Sequence, residues 1–199
     1  MKKFLSLLLA LVLSLSLAVP ALAAEPDQAE EAAWSLYHMG LFLGTGSDVQ
    51  GFPQFSLDRS PTRAQGVTML VRLIGKEAEA QETPWTAPFQ DVPDGSWCAD
   101  AVTWCAENGI VQGDGAGHFV PGALVTRQAM LTMLYRAVGS PEANEAVLSG
   151  VSDSGSLSEF ARPGAAWAVE NGLVDGALLP QGQVTRGGAA ELLAALIAA

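Results

Sequence analysis

Cysteine is scarce in this chain: Cys98 and Cys105 are the only two in 199 residues. They stand seven positions apart, on or beside one helical segment. Two helical turns separate such residues by about 10 Å, whereas a disulfide needs Cα atoms within about 7 Å. The pair therefore reads as small buried apolar side chains. Histidine is equally scarce, and His38 and His118 share no spacing or pattern. No His/Cys/carboxylate metal pattern, no serine-nucleophile motif and no singled-out carboxylate pair appears, so nothing points to catalysis, a metal or a cofactor. Asp114-Gly115-Ala116-Gly117 is a turn, too short and ligand-poor for a calcium loop. Basic residues are few, 10 Lys and Arg against 21 Asp and Glu, and form no run. That balance excludes nucleic acid and anionic lipid surfaces as partners. Beyond residue 23 no apolar run is long enough to cross a bilayer.

The apolar run that does exist is at the start. Lys2 and Lys3 precede Phe4 to Val19, and Ala21-Leu22-Ala23 follows as a small-x-small site. This is the pattern of a cleaved secretion signal over residues 1–23. Its removal takes the formal charge from −11 to −13. No cysteine follows the cleavage site, which argues against a lipid anchor. Residues 24–31 are acidic and polar and are expected to form a flexible tail.

The remainder is built on three stretches, Pro61-Thr62-Arg63, Val125-Thr126-Arg127 and Val184-Thr185-Arg186, each opening an apolar segment of helical period. Counted from the Thr, the fifth residue is Val67, Leu131 or Ala190; the seventh is Met69, Met133 or Leu192; the eighth is Leu70, Leu134 or Leu193; the twelfth is Ile74, Val138 or Ile197. Arg72 and Arg136 match at the tenth place, where the third copy has Ala195. Upstream of each lies a Trp-bearing helical stretch stopped by Gly: Trp34 to Gly40, Trp104 to Gly109, Trp167 to Gly172. Self-similarity at this period predicts segments over about 32–75, 89–139 and 150–199 that share one core. The expected fold is mainly α: three helix-loop-helix repeats around a pseudo-threefold three-helix centre, with the Trp helices outside. Ile110-Val111 with Leu124-Val125, and Leu173-Val174 with Gln183-Val184, are expected to form short β-hairpin prongs. Pro163 is expected in the first turn of a late-starting helix. Phe52-Pro53-Gln54-Phe55, in the longest loop, reads as a ligand lip or as a hydrophobic clip under the loop.

The second segment carries Phe89-x-Asp91-Val92, Trp97, Ala101-Val102-x-Trp104, Asn108-Gly109-Ile110-Val111-x-Gly113, Phe119-x-Pro121 and Val125-Thr126-Arg127. In that order these residues resemble the S-layer homology (SLH) domain, with the first and third segments as partial copies in register. The resemblance implies three tandem repeats that hold an exported protein on the cell wall of a Gram-positive bacterium. It implies binding of secondary cell wall polysaccharide, often bearing a pyruvate ketal, in grooves between repeats. One departure stands out. The family motif carries Glu three places after the Thr, where this chain has Gln65, Ala129 and Gly188.

Each Thr is a natural N-cap, and Gln65 completes a capping box. The Arg that follows is harder to explain, because a cation in the first turn opposes the helix dipole at a cost of about 0.3–1 kcal/mol. Two compatible readings stand: an anion site made by guanidinium and free N–H groups, or a salt bridge to Asp91 or Asp153 of a neighbouring segment. The resemblance favours binding. It makes Arg127 and Trp97 the leading polysaccharide-binding candidates, with Arg63, Arg186, Phe160, Asp91, Asp153 and Thr126 behind them. Trp97 is also readable as core, and core packing is the expectation for Trp34, Trp104 and Trp167. The competing functional reading is a surface protein–protein interaction or S-layer-like structural module that binds no glycan.

Overall fold

The Thr-Arg stretches start helices for a local reason. In the computed structural model, which describes residues 27–82, 86 and 88–198, the Thr62 hydroxyl accepts the Gln65 N–H. The Gln65 side chain returns to the Thr62 N–H at 2.9 Å, closing the capping box. Thr126 accepts from Ala129 N–H at 3.3 Å and Thr185 from Gly188 N–H at 3.0 Å. Such caps contribute about 1 kcal/mol each. The chain then runs α1 (Gln28–His38), β1 (Gly46–Ser47), β2 (Pro53–Gln54), α2 (Arg63–Leu73), α3 (Glu77–Glu82), α4 (Ala99–Glu107), α5 (Arg127–Ala137), three 3₁₀ turns (Glu145–Gly150, Ser154–Ser156, Glu159–Ala161), α6 (Arg162–Glu170) and α7 (Arg186–Ala198). The Trp-bearing helices α4 and α6 stop at Gly109 and Gly172, whose φ values of +69° and +67° only glycine adopts without strain. Among the described residues no helix is long and apolar enough to cross a membrane.

The fifth, seventh and eighth places after each Thr form the buried stripe: Val67, Met69 and Leu70; Leu131, Met133 and Leu134; Ala190, Leu192 and Leu193. The twelfth place does not. Val138 is 42% exposed, and Ile74 and Ile197 are half-buried. Ile74 and Val138 are the C-cap residues, where the stripe has turned out of the core.

Helix pairing follows a cyclic order. Helix α2 packs on α4, α5 on α6, and α7 on α1, so each Thr-led helix lies on the Trp helix of the next segment and the third returns to the first. Helices α2 and α5 also touch each other. Gly164 permits a close approach of α6 to α5. A Cβ there would sit 3.1 Å from Thr132 Cα and 3.2 Å from Leu131 O, so α6 reaches the α5 backbone only because the side chain is missing. Pro163 lies in the first turn of α6, as expected. Trp104 and Trp167 are buried and Trp34 is partly so, packed edge-on against Phe55 at 5.1 Å. Cys98 and Cys105 are free and buried, and burial pushes the Cys105 thiol up to about 12.

Two local expectations need correction. Residues 28–31 are not a loose tail: they are the first turn of α1, capped by the Asp27 carboxylate at Ala29 N–H, with Ala29 buried against the molecule. Nor do Leu124-Val125 and Gln183-Val184 pair back within their own segments. Leu124 bridges Thr62 and Gln183 bridges Thr126, antiparallel, because the free edge of each of these loops lies beside the helix start of the preceding segment rather than beside its own first half. The one hairpin among the described residues is in the first loop, with Gly46 opposite Gln54 and Ser47 opposite Pro53. It divides the Phe52–Phe55 stretch: Phe55 is 7% exposed and clips the loop down, whereas Phe52 is 60% exposed.

Candidate functional site

Each helix start docks into the loop of another segment, and the hydrogen bonds repeat residue for residue. Arg63 N–H donates to Ala123 O and Ala64 N–H to Pro121 O. Arg127 N–H donates to Gly182 O and Gln128 N–H to Pro180 O. Arg186 N–H donates to Arg59 O and Gly187 N–H to Leu57 O. The helix-start N–H groups that a free anion would use are therefore occupied by carbonyls. The guanidinium groups follow the same route. Arg63 Nε donates to Phe119 O (2.9 Å), Arg127 Nε to Leu178 O (2.8 Å) and Arg186 Nε to Phe55 O (2.7 Å).

These arginines solve the dipole problem by gripping carbonyls, not by pairing with aspartate. Asp91 and Asp153 hold the opposite side of the same loops. Asp91 accepts from Phe119 and Val120 N–H, both at 2.8 Å, and Asp153 from Leu178 at 3.0 Å and Leu179 at 2.7 Å. Burial pushes the Asp91 carboxyl up, but the N–H groups of Phe119 and Val120, its own N–H and nearby His118 together hold the group below its ordinary value. The N–H groups of Leu178 and then Leu179 do the same for Asp153. The same place carries backbone strain in all three loops: Val120 has φ +59°, Leu179 +48° and Ser56 +48°.

Beyond this shared frame the three arginines differ. Arg186 is 8% exposed, with Nη2 on Leu43 O at 2.7 Å and its guanidinium carbon 4.6 Å from the Phe42 ring centre. Burial pulls its pKa down, and nearby Arg59 adds to the effect. Arg63 is half-buried. Its Nη2 donates to Gln112 O at 3.0 Å, and it lies 4.5 Å over the Phe119 ring. Burial lowers its pKa and the Asp91 charge opposes that shift. Arg127 makes only its Nε bond among the described residues.

Two grooves open beside these latches. The first, of about 390 Å³, has Arg63 and Arg136 as its cations and Ile110, Val111, Met133 and the exposed ring of Phe160 among its apolar walls. Its one carboxylate, Asp114, is occupied by the N–H groups of Ala116 and His118 and lies 3.3 Å from His118 Nδ1. The second, of about 590 Å³, has Arg127 together with Glu31, Asp175 and Glu191.

The sequence candidates are thus separated. Arg63 and Phe160, from the first and third segments, meet in one groove, while Arg127 lines the other. Trp97 is 68% exposed and lines neither of these two grooves, whereas Arg127 lines the second. Arg186 is committed to the fold, Thr126 to its cap, and Asp91 and Asp153 to loop backbone. Arg136 was missed. Its signal is the match to Arg72, but Arg72 is tied to Glu77 at the start of α3 at 3.0 Å, whereas Arg136 lines the groove with one long bond, 3.4 Å to Ile110 O.

Residues 88–131 match the family profile of the S-layer homology domain. The chain is 32% identical to an endoglucanase of Bacillus sp. (strain KSM-635) over 98% of this chain and 22% of that protein. It is 32% identical to a surface layer protein of Brevibacillus choshinensis over 70% of this chain and 13% of that protein. It is 26% identical to a cellulosome-anchoring protein of Acetivibrio thermocellus over 47% of this chain and 22% of that protein. The chain thus spans less than a quarter of the length of these relatives.

Proposed function

We propose that the S-layer homology domain at 88–131 and the related segments around it form one pseudo-threefold triplet that attaches an exported chain to the cell wall of a Gram-positive bacterium. The ligand in this reading is secondary cell wall polysaccharide. The observation that carries it is the first groove: two arginines beside an exposed phenylalanine and an apolar wall, which is what an acid-bearing sugar needs, a fork for the carboxylate and a flat face for the ring. The names of the relatives, a surface layer protein and a cellulosome-anchoring protein, support a surface role. The endoglucanase match covers too little of that enzyme to bring its activity with it. The role is structural rather than catalytic, and export rests on the signal pattern at residues 1–23, which lie outside the described residues.

A second reading, docking to another surface protein without glycan, is favoured by the first-loop hairpin. Asp48 Oδ1 accepts from Gln50 and Phe52 N–H, both at 2.9 Å, and the turn presents Val49 at 97% and Phe52 at 60% exposure. One experiment separates the two: co-sedimentation of residues 24–199 with purified wall sacculi, before and after chemical removal of the polysaccharide, with Phe160→Ala alongside. Pelleting that disappears with the polysaccharide and weakens in the variant supports glycan attachment. Absence of pelleting with intact walls, or unchanged pelleting with stripped walls, rejects it.

A further inference from the structure

We infer that Asn108 and Asn171 are sites of spontaneous deamidation that the fold holds closed, and that Asn171 is the first to react when the chain loosens. Three asparagines are present, and only these two precede glycine, at the equivalent helix stops of the second and third segments. In an Asn-Gly pair the glycine nitrogen attacks the carbonyl carbon of the asparagine side chain. The bond to Nδ2 breaks, and ammonia leaves with the proton that the glycine N–H gives up. Water then opens the five-membered imide at either carbonyl, giving aspartate or its isomer with a lengthened backbone. Glycine favours the attack because no Cβ shields its nitrogen. Both pairs are exposed, so water reaches them.

The reacting atoms are nevertheless held apart. Asn108 and Asn171 cap their helices with ψ of 10° and 9°, which turns the glycine nitrogen away from the side-chain carbonyl carbon. Each Nδ2 donates to the carbonyl four residues back, Trp104 O and Trp167 O, both at 2.8 Å. Each glycine N–H is engaged as well, Gly109 with Ala106 O at 3.0 Å and Gly172 with Val169 O at 3.2 Å. Reaction therefore waits on local opening. The two stops are not equally secured. Past Gly109, the N–H groups of Ile110 and Val111 both donate to Cys105 O, and the two side chains are 3% and 4% exposed. Past Gly172, Leu173 N–H donates to Ala168 O, Leu173 is 8% exposed and Val174 is half-buried. The product does not restore the closed state. A carboxylate has no donor for the Trp carbonyl and puts negative charge at the negative end of the helix dipole. Residues 110–113 and 172–175 line the two grooves, so the change falls on their walls.

The test follows deamidation of the exported chain by peptide mapping in mildly alkaline buffer, without urea, below the unfolding midpoint and above it. The mass gain of amide to acid gives a rate for each asparagine, and Asn144, which precedes Glu145, is the internal reference. Above the midpoint both Asn-Gly sites run well ahead of Asn144. In native buffer both are slowed by roughly tenfold or more relative to the unfolded chain. Below the midpoint, with each site normalised to its own unfolded rate, Asn171 leads Asn108. Equal rates in native buffer and above the midpoint, or Asn108 in the lead, overturn the inference. Asn171→Asp installs the product directly and is expected to lower the folding equilibrium constant by roughly tenfold at neutral pH, through the lost donor and the added charge. A variant as stable as the parent removes the claim that the change keeps the stop open.

Discussion

Replacing Arg186 by Met tests whether the Thr-Arg arginines act first as structural latches. Methionine keeps the apolar stem and removes the guanidinium. The variant loses two short hydrogen bonds, 2.7 Å each to Phe55 O and Leu43 O, and the contact with Phe42. Bonds from a charged donor contribute about 1.5–3 kcal/mol each, and a partly desolvated cation–ring contact about 0.5–2 kcal/mol. Leu43 is 47% exposed and its carbonyl regains water, whereas Phe55 is buried and its carbonyl does not. A net loss of about 3–5 kcal/mol follows, a large share of the 5–15 kcal/mol typical of a domain. For a chain of this size that is roughly a 10 °C fall in Tm. Arg127→Met, which removes one bond from a half-exposed side chain, is expected to cost about 1–2 kcal/mol. Urea unfolding followed by circular dichroism, with equal slopes checked, measures both. If Arg186→Met stays within about 0.5 kcal/mol of the parent, or costs less than Arg127→Met, the latch reasoning is wrong.

Three further outcomes are expected. Asp91 and Asp153 are held below their ordinary pKa, so their contribution is present above about pH 4 and is lost as pH falls through the lowered folded value. Asp91→Asn, which keeps one acceptor where two are needed, lowers neutral-pH stability by about 1–3 kcal/mol and flattens the acid limb of a Tm-versus-pH curve. Gly164→Ala drives a Cβ into the α5 backbone and destabilises by about 1–3 kcal/mol in chemical unfolding, against the usual gain from Gly to Ala in a helix. Cys98 and Cys105 react with a thiol reagent only as fast as the chain opens, so labelling in native buffer is slow and accelerates through the urea transition.

What the sequence disclosed was local. Thr caps, the Gln65 box, the fifth, seventh and eighth places of the buried stripe and the Gly helix stops are set within a few residues of one another and are found where periodicity and capping chemistry put them, whereas the twelfth place is not buried. What it hid was relational. The fifth, seventh and eighth places reveal a buried face but not which helix covers it, and the partner proved to belong to the next segment. For the same reason the sequence does not show that Arg63 and Phe160, nearly a hundred positions apart, share a groove. The arginine puzzle was legible as an anomaly, a cation at the wrong end of a dipole. Its resolution by loop carbonyls was not, because carbonyls leave no mark in a sequence. The strained Val120 and Leu179 left none either, since nothing about a valine announces φ +59°.

The grip of Arg186 on the first loop joins residues 131 and 143 positions apart. An open solenoid has two ends, each with an exposed face, and lengthens by duplicating a unit. Here α7 packs on α1 and covers the face that the first segment would otherwise leave bare. Such closure makes the contacts strongly non-local, which slows folding. A chain made from its N-terminus holds its first loop unfinished until α7 is made, because Arg186 supplies the bonds to Phe55 O and Leu43 O.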